Sequence, residues 1–93
     1  MANEDRFRAD GKTALVTGAA SGLGAAIAMA LADVGAAVAC HGNRRPAEET
    51  AQRIRSTGNE AQSFSADLSL PDGADRLFAD VSAAMGPPHI LIN

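Results

Sequence analysis

The chain has 93 residues, a formal net charge of −3 and a hydrophobic fraction of 46%, which fits one globular unit or part of one. It has neither the basic field nor the aromatic platforms that would indicate binding to nucleic acid or to an anionic membrane surface. No apolar run is long enough to span a bilayer, and the charged residues 1–10 do not resemble a signal peptide, so we expect a cytoplasmic protein.

The first predicted element is a buried strand over residues 12–17, where the apolar run Ala14-Leu15-Val16 lies between glycines. The pattern then changes to the period of a helix over residues 22–34, and Gly35 follows as a helix stop. The predicted apolar face of this helix consists of Leu23, Ile27, Leu31 and Val34.

A second strand is predicted over residues 36–40, followed by a loop over residues 41–45. Pro46 suits the first turn of the next helix, which we expect to end near Ser56. The proline therefore indicates where the loop gives way to helix.

A third strand is predicted over residues 60–65. Ser69 and Asp72 resemble a capping pair for the helix that follows, and residues 89–92 form a fourth strand. The predicted apolar face of the helix between these two strands consists of Ala74, Leu77, Phe78, Val81 and Met85. This alternation predicts an α/β fold, namely the first half of a Rossmann-like doubly wound parallel sheet in the order β-α-β-α-β-α-β.

The junction between the first strand and the first helix reads Thr17-Gly18-Ala19-Ala20-Ser21-Gly22-Leu23-Gly24. Gly18 permits a tight turn, Gly22 removes a side chain where the backbone meets a ligand, and Gly24 permits close helix packing. Ser21 adds a hydroxyl donor. Because a helix N-terminus attracts anions, the junction predicts a pyrophosphate site. The alternative is a glycine turn that only fits helix to strand.

These residues resemble the glycine motif of the short-chain dehydrogenase/reductase family. Asp10-Gly11-Lys12 is similar to the family's approach to its first strand, and Ala66-Asp67-Leu68 to its adenine-contact segment. Residues 89–93 are similar to the strand that enters its Asn-Asn-Ala-Gly segment, with Asn93 as the first Asn. The resemblance implies a hydride-transferring oxidoreductase that uses NADP or NAD. The implied cofactor-binding residues are Gly18, Ser21, Gly22, Leu23, Gly24, Asn43, Arg44, Arg45, Asp67, Leu68 and Asn93.

The family's catalytic residues are a Ser and a Tyr-x-x-x-Lys pair, and this chain contains no Tyr. Its one Lys is Lys12, before the first strand, so no catalytic residue is assigned. We interpret residues 1–93 as the N-terminal dinucleotide-binding part of a single Rossmann domain, inactive alone. The parent enzyme is expected to be a homo-oligomer that acts on a small carbonyl or alcohol substrate. The alternative is a non-catalytic nucleotide-binding or interaction fragment.

The substrate and the form of the cofactor depend on the loop after the second strand. Residues 44–50 resemble the loop of sugar-acid dehydrogenases, of the 2-deoxy-D-gluconate 3-dehydrogenase or 2-dehydro-3-deoxy-D-gluconate 5-dehydrogenase type. A sugar-alcohol or 3-oxoacyl carrier-protein reductase is an open alternative. The acidic residue that selects NAD would fall on Gly42, where none is present. Arg44 and Arg45 favour NADP slightly as clamps for its 2′-phosphate, although a solvated loop pair is the alternative.

Cysteine and histidine residues are few. Cys40 lies in an apolar run and is interpreted as a buried, inert thiol. His41 and His89 have no partners at metal-ligand spacing, so no metal site is predicted. We expect His41 to line the adenosine pocket and His89 to be a loop or interface residue. Asp67 has an alternative role as the cap of a turn.

Overall fold

The computed structural model describes residues 8–93; most of the segment on which the signal-peptide expectation rests lies outside this part. The elements in chain order are β1 (Thr13–Val16), α1 (Gly22–Asp33), β2 (Ala37–Gly42), α2 (Glu48–Arg55), β3 (Ala61–Ser65), α3 (Gly73–Met85) and β4 (Ile90–Ile92). The predicted β-α-β-α-β-α-β order is confirmed.

The four strands form one parallel sheet in the order β3-β2-β1-β4. β1 is central and fully buried, as expected for a strand that is covered on both faces. In its register, Leu15 is paired with Ala39 of β2 and with Leu91 of β4. Because β2 and β4 lie on opposite sides of β1, the strand order reverses at β1. In folds of this kind, ligands bind at such a reversal, outside the carboxyl ends of the strands.

The sheet separates two apolar clusters. On one face, α1 and α2 pack against Val16 and Val38, with Ile54 of α2 fully buried among them. On the other face, Leu77 and Val81 of α3 pack against the sheet. Alternate strand residues therefore serve the two clusters, as the period of a β-strand requires.

The buried face of α1 differs from the predicted one. Its buried residues are Ala28 and Ala32, whereas Leu23 is 76% exposed. Ile27, Leu31 and Val34 are half-buried at the border of the core. Ala28 and Ala32 lie four residues apart and therefore face the sheet together. Because the helix packs closely against the sheet there, these positions accept only small side chains.

Three local predictions near the loops need correction. α2 begins at Glu48, after Pro46, and β2 continues to Gly42, so that His41 lies within the sheet. The predicted capping pair before α3 is wrong. Asp72 is the N-cap residue but its side chain makes no capping hydrogen bond, and the Ser69 hydroxyl donates instead to Asp67.

The thiol of Cys40 is buried in the sheet. Burial raises the pKa of this thiol to about 11, which keeps it protonated and unreactive at neutral pH. The interpretation of Cys40 as a buried thiol is confirmed. Of the helices within residues 8–93, none combines the length and the apolar character needed to cross a membrane.

Candidate functional site

The glycine loop (residues 17–24) connects the carboxyl end of β1 to α1. Gly18 has a φ of 66°, in the left-handed region that favours glycine. A Cβ on Gly24 would lie 2.0 Å from the carbonyl oxygen of Gly18, so α1 begins against the backbone of the loop. Gly22 has a φ of 61° and open space where a Cβ would be. A ligand can therefore approach the backbone at Gly22 directly.

The N-terminus of α1 offers unpaired donors. The first helical hydrogen bond runs from the Ala25 N–H to the Ser21 carbonyl oxygen, at 3.4 Å. The N–H groups of Gly22, Leu23 and Gly24 therefore have no acceptor in the helix, and the described backbone supplies none elsewhere. The first turn contains no acidic residue, and the Ser21 side chain makes no capping hydrogen bond. This end of the helix thus presents positive potential and free donors to an anion.

Residues at the ends of β2 and β4 bind the glycine loop directly, and a residue after β3 is connected to it through His41. The N–H of Gly18 donates to Nδ1 of His41 at 3.2 Å, and the N–H of Ala19 donates to the His41 carbonyl oxygen at 2.7 Å. Nε2 of His41 lies 2.8 Å from the carbonyl oxygen of Ala66, after β3. Thr17 donates to the carbonyl oxygen of Ile92 in β4 through its N–H and its hydroxyl, at 2.9 and 3.2 Å.

The structure places His41 differently from the sequence-based expectation. His41 is 3% exposed, and its ring packs against the glycine loop, where it binds the backbone. It therefore supports the loop and does not line an open adenosine pocket. The sequence signal that could have found it is a polar side chain at the end of an otherwise apolar strand.

The carboxylate of Asp67 organises the turn before α3. Its Oδ1 accepts hydrogen bonds from the hydroxyl and the N–H of Ser69, at 2.6 and 3.0 Å, and from the Asn43 side chain at 3.5 Å. The Ser69 hydroxyl contributes most to holding the pKa of the Asp67 carboxyl below its usual range. Within residues 8–93 its Oδ2 accepts no hydrogen bond, so a charged acceptor is available beside the sheet.

The loop after β2 folds back over its strand. A Cβ on Gly42 would lie 2.2 Å from the carbonyl oxygen of Arg45, so the present loop has no room for an acidic side chain at this position. Arg44 and Arg45 are both exposed. Arg45 lines a cleft with Ser21 and Glu49, which brings both charged residues to the side of the glycine loop.

A second, more apolar cleft lies between α3 and β4. Leu68 and Asn93 line it together with Thr17 and the half-exposed Phe78. The structure thus brings Leu68 and Asn93 to the same edge of the sheet as the glycine loop. Leu23 lines neither cleft, and its side chain is exposed.

Gly73 and His89 have roles that the sequence reasoning missed or left general, the first near the site and the second far from it. A Cβ on Gly73 would lie 2.1 Å from the Asp67 carbonyl oxygen, so α3 also begins against the backbone of a turn. A glycine at the start of a helix was the available signal. His89 lies before β4, where its Nδ1 accepts a hydrogen bond from the Thr13 N–H at 3.2 Å, at the opposite end of β1.

Residues 12–93 match the sequence model of the family described as short chain dehydrogenase. Versicolorin reductase of Emericella nidulans is 46% identical over 79 residues, 83% of this chain and 30% of that protein. A dehydrogenase/reductase of Sinorhizobium meliloti 1021 superimposes with a TM-score of 0.89 at 33% identity over 97% of this chain. A 3-oxoacyl (acyl-carrier-protein) reductase of Agrobacterium tumefaciens C58, solved with NADP bound, gives 0.85 at 40% identity over 95%. The chain spans 36% and 34% of these two structures, about a third of each.

Proposed function

This chain belongs to the short-chain dehydrogenase family, and we propose that it is the cofactor-binding segment of an NAD(P)-dependent oxidoreductase acting on an alcohol or ketone. The observation that carries this proposal is the group of free N–H donors at the N-terminus of α1. Open space at Gly22 lets a pyrophosphate reach them. The arrangement fits a dinucleotide. Every helix has free donors in its first turn, so the open approach at Gly22 is the feature that favours a ligand site over a bare turn between strand and helix.

Each part of the site has a distinct task in this proposal. The N–H groups of α1 and the Ser21 hydroxyl bind the pyrophosphate. The free Oδ2 of Asp67 accepts a hydrogen bond from the adenine amino group, while Leu68 supplies apolar contact beside it. Asn93, at the end of β4, lies toward the reactive part of the cofactor. When bound, the nicotinamide donates or accepts the hydride.

The proposal is tested by comparing the longer protein that contains this segment with the 93-residue chain. We expect the longer protein to bind NADP(H) or NAD(H) and to oxidise the reduced cofactor with carbonyl substrates. The 93-residue chain should show no turnover, because it has no Tyr to donate a proton to a carbonyl oxygen. Absorbance of the reduced cofactor reports turnover, and calorimetry reports binding.

Two outcomes would contradict this expectation. Turnover by the purified 93-residue chain would show that catalysis does not need the residues proposed to be missing. A longer protein that binds neither cofactor would favour the alternative, a non-catalytic interaction module.

The slight preference for NADP over NAD is supported by two observations. The Agrobacterium reductase was solved with NADP, and Arg45 lines the cleft beside Ser21. Glu49 lines the same cleft, and its carboxylate would repel a 2′-phosphate. The net preference therefore depends on which of the two side chains approaches the phosphate.

In the longer protein, Arg45→Ala is expected to weaken NADPH about tenfold more than NADH. A charge-assisted hydrogen bond contributes about 1.5–3 kcal/mol, reduced by solvent screening at an exposed loop, which leaves roughly one decade of affinity. Arg44→Ala is the matched control, because Arg44 is also exposed but lines neither of the two clefts described above. The ratio of kcat/KM for the two cofactors is the measurement. An unchanged ratio in both variants would show that the two arginines are solvated surface charges that do not bind the 2′-phosphate.

The substrate class is proposed only as a small carbonyl or alcohol compound. The sugar-acid assignment depends on residues 44–50 alone, and none of the three relatives described above is named for a sugar acid. A cytoplasmic location and a homo-oligomeric parent enzyme likewise stay predictions. A panel of sugar acids and acyl thioesters, assayed with the longer protein, distinguishes the candidate substrates.

A further inference from the structure

Within residues 8–93, the His41 side chain joins three separate segments at the site. Its ring contacts Gly18 in the glycine loop and Ala66 after β3, while its own backbone lies in β2. We propose that His41 is a positioning residue that holds the glycine loop in its cofactor-binding shape, and that protonation of its ring releases the loop. This inference rests on the proposed function and concerns the same site.

The two ring contacts determine the tautomer. The Gly18 N–H can only donate, so Nδ1 must be an unprotonated acceptor at 3.2 Å. The Ala66 carbonyl oxygen can only accept, so Nε2 at 2.8 Å must carry the proton. The neutral ring with its proton on Nε2 is the form that satisfies both partners.

These contacts affect the part of the loop that shapes the anion site. His41 turns the N–H groups of Gly18 and Ala19 toward the protein interior. The carbonyl oxygen of Gly18 then points at Gly24, where a Cβ would approach to 2.0 Å. The position of the start of α1, and of its free donors, thus depends on the peptide that His41 holds.

A second proton on the ring would convert Nδ1 from an acceptor into a donor that faces the donor of Gly18. The described elements around the ring supply few charges. β1, β3 and the glycine loop have no charged side chain. Asp67 follows β3, and Arg44 and Arg45 follow β2. The neighbouring thiol of Cys40 stays neutral because burial raises its pKa to about 11. Cofactor affinity should therefore fall as the pH is lowered.

The test measures NADH binding to the longer protein at about pH 8 and at about pH 5.5. NADH is the probe because it lacks a 2′-phosphate, whose own titration near pH 6 would confuse the comparison. His41→Leu removes both contacts and should weaken NADH about tenfold or more at the higher pH. Its effect should appear in Kd and KM, with a much smaller change in kcat.

His41→Asn is the conservative variant. Its amide oxygen can accept from the Gly18 N–H in place of Nδ1 but does not titrate. It should recover most of the affinity at the higher pH and lose the acid sensitivity that the unmodified protein shows. His89→Asn is the matched control, since His89 makes the same kind of contact to a backbone N–H at the other end of β1. It should behave as the unmodified protein at both pH values.

Two results would overturn the inference: unchanged NADH affinity in His41→Leu, or an acid-induced loss in His41→Asn equal to that of the unmodified protein. If His41→Leu does not fold, as judged by circular dichroism, the pH profile of His41→Asn decides. A longer protein that binds neither NADH nor NADPH overturns the proposed function and this inference together. If only the inference about His41 is wrong, the unmodified protein still binds NADH or NADPH, so the two outcomes can be distinguished.

Discussion

Gly22→Val is expected to abolish cofactor binding by the longer protein. The new side chain would occupy the open space through which a pyrophosphate reaches the N-terminus of α1. A loss of at least two decades in affinity is expected, because charge-assisted hydrogen bonds of about 1.5–3 kcal/mol each would be blocked together. Calorimetric titration with NADPH and NADH measures it.

Gly58→Val is the matched control for this substitution. Gly58 also has a positive φ, 89°, and open space around its Cβ position, but it follows α2, away from the glycine loop. Both valines carry a similar backbone penalty, so a difference in cofactor affinity reports the site alone. Equal affinities in the two variants would show that the glycine loop does not bind the pyrophosphate.

Gly24→Ala should damage both cofactor binding and folding. Its Cβ would lie 2.0 Å from the Gly18 oxygen and 2.7 Å from the Gly18 carbonyl carbon. Both are backbone atoms, so α1 and the loop must separate to admit one methyl group. Overpacking of this kind costs about 1–3 kcal/mol, and the displaced N–H groups no longer converge on an anion.

Chemical denaturation and NADPH titration of the same preparation measure the two effects of Gly24→Ala. The contrast with Gly22→Val is informative, because that substitution enters open space and lowers stability through backbone strain, without overpacking. A Gly24→Ala protein with unchanged stability and affinity would show that α1 does not need its close approach to the loop.

The order of elements and the glycine loop were accessible from the sequence because both depend on local patterns. The apolar run of β1 lies between glycines, and the change of period after Gly22 marks a helix. The buried face of α1 was less accessible. Large apolar side chains such as Leu23 determine the face that a hydrophobic periodicity predicts to be buried. The residues buried against the sheet are instead Ala28 and Ala32, because helix and sheet approach closely there.

Contacts between distant segments could not be predicted from one sequence. His41 binds Gly18 and Ala66, which lie 23 and 25 positions away in the sequence. No local pattern specifies such a pair. The same limit applies to Gly42. Counting from the second strand placed the acidic residue that selects NAD at Gly42. In the structure, the backbone of Arg45 in the returning loop occupies the space that a side chain on Gly42 would need. A Gly42→Asp substitution would therefore disturb the loop as well as change its charge.

The alanine face of α1 also has a thermodynamic consequence. Burial of an alanine side chain costs no rotamer entropy, unlike burial of leucine, isoleucine or methionine. Ala28 and Ala32 can therefore dock on the sheet without freezing any side-chain rotation. Their small apolar area contributes correspondingly little favourable transfer free energy. At these two positions, α1 thus contacts the sheet closely, with no rotatable side chain between helix and sheet.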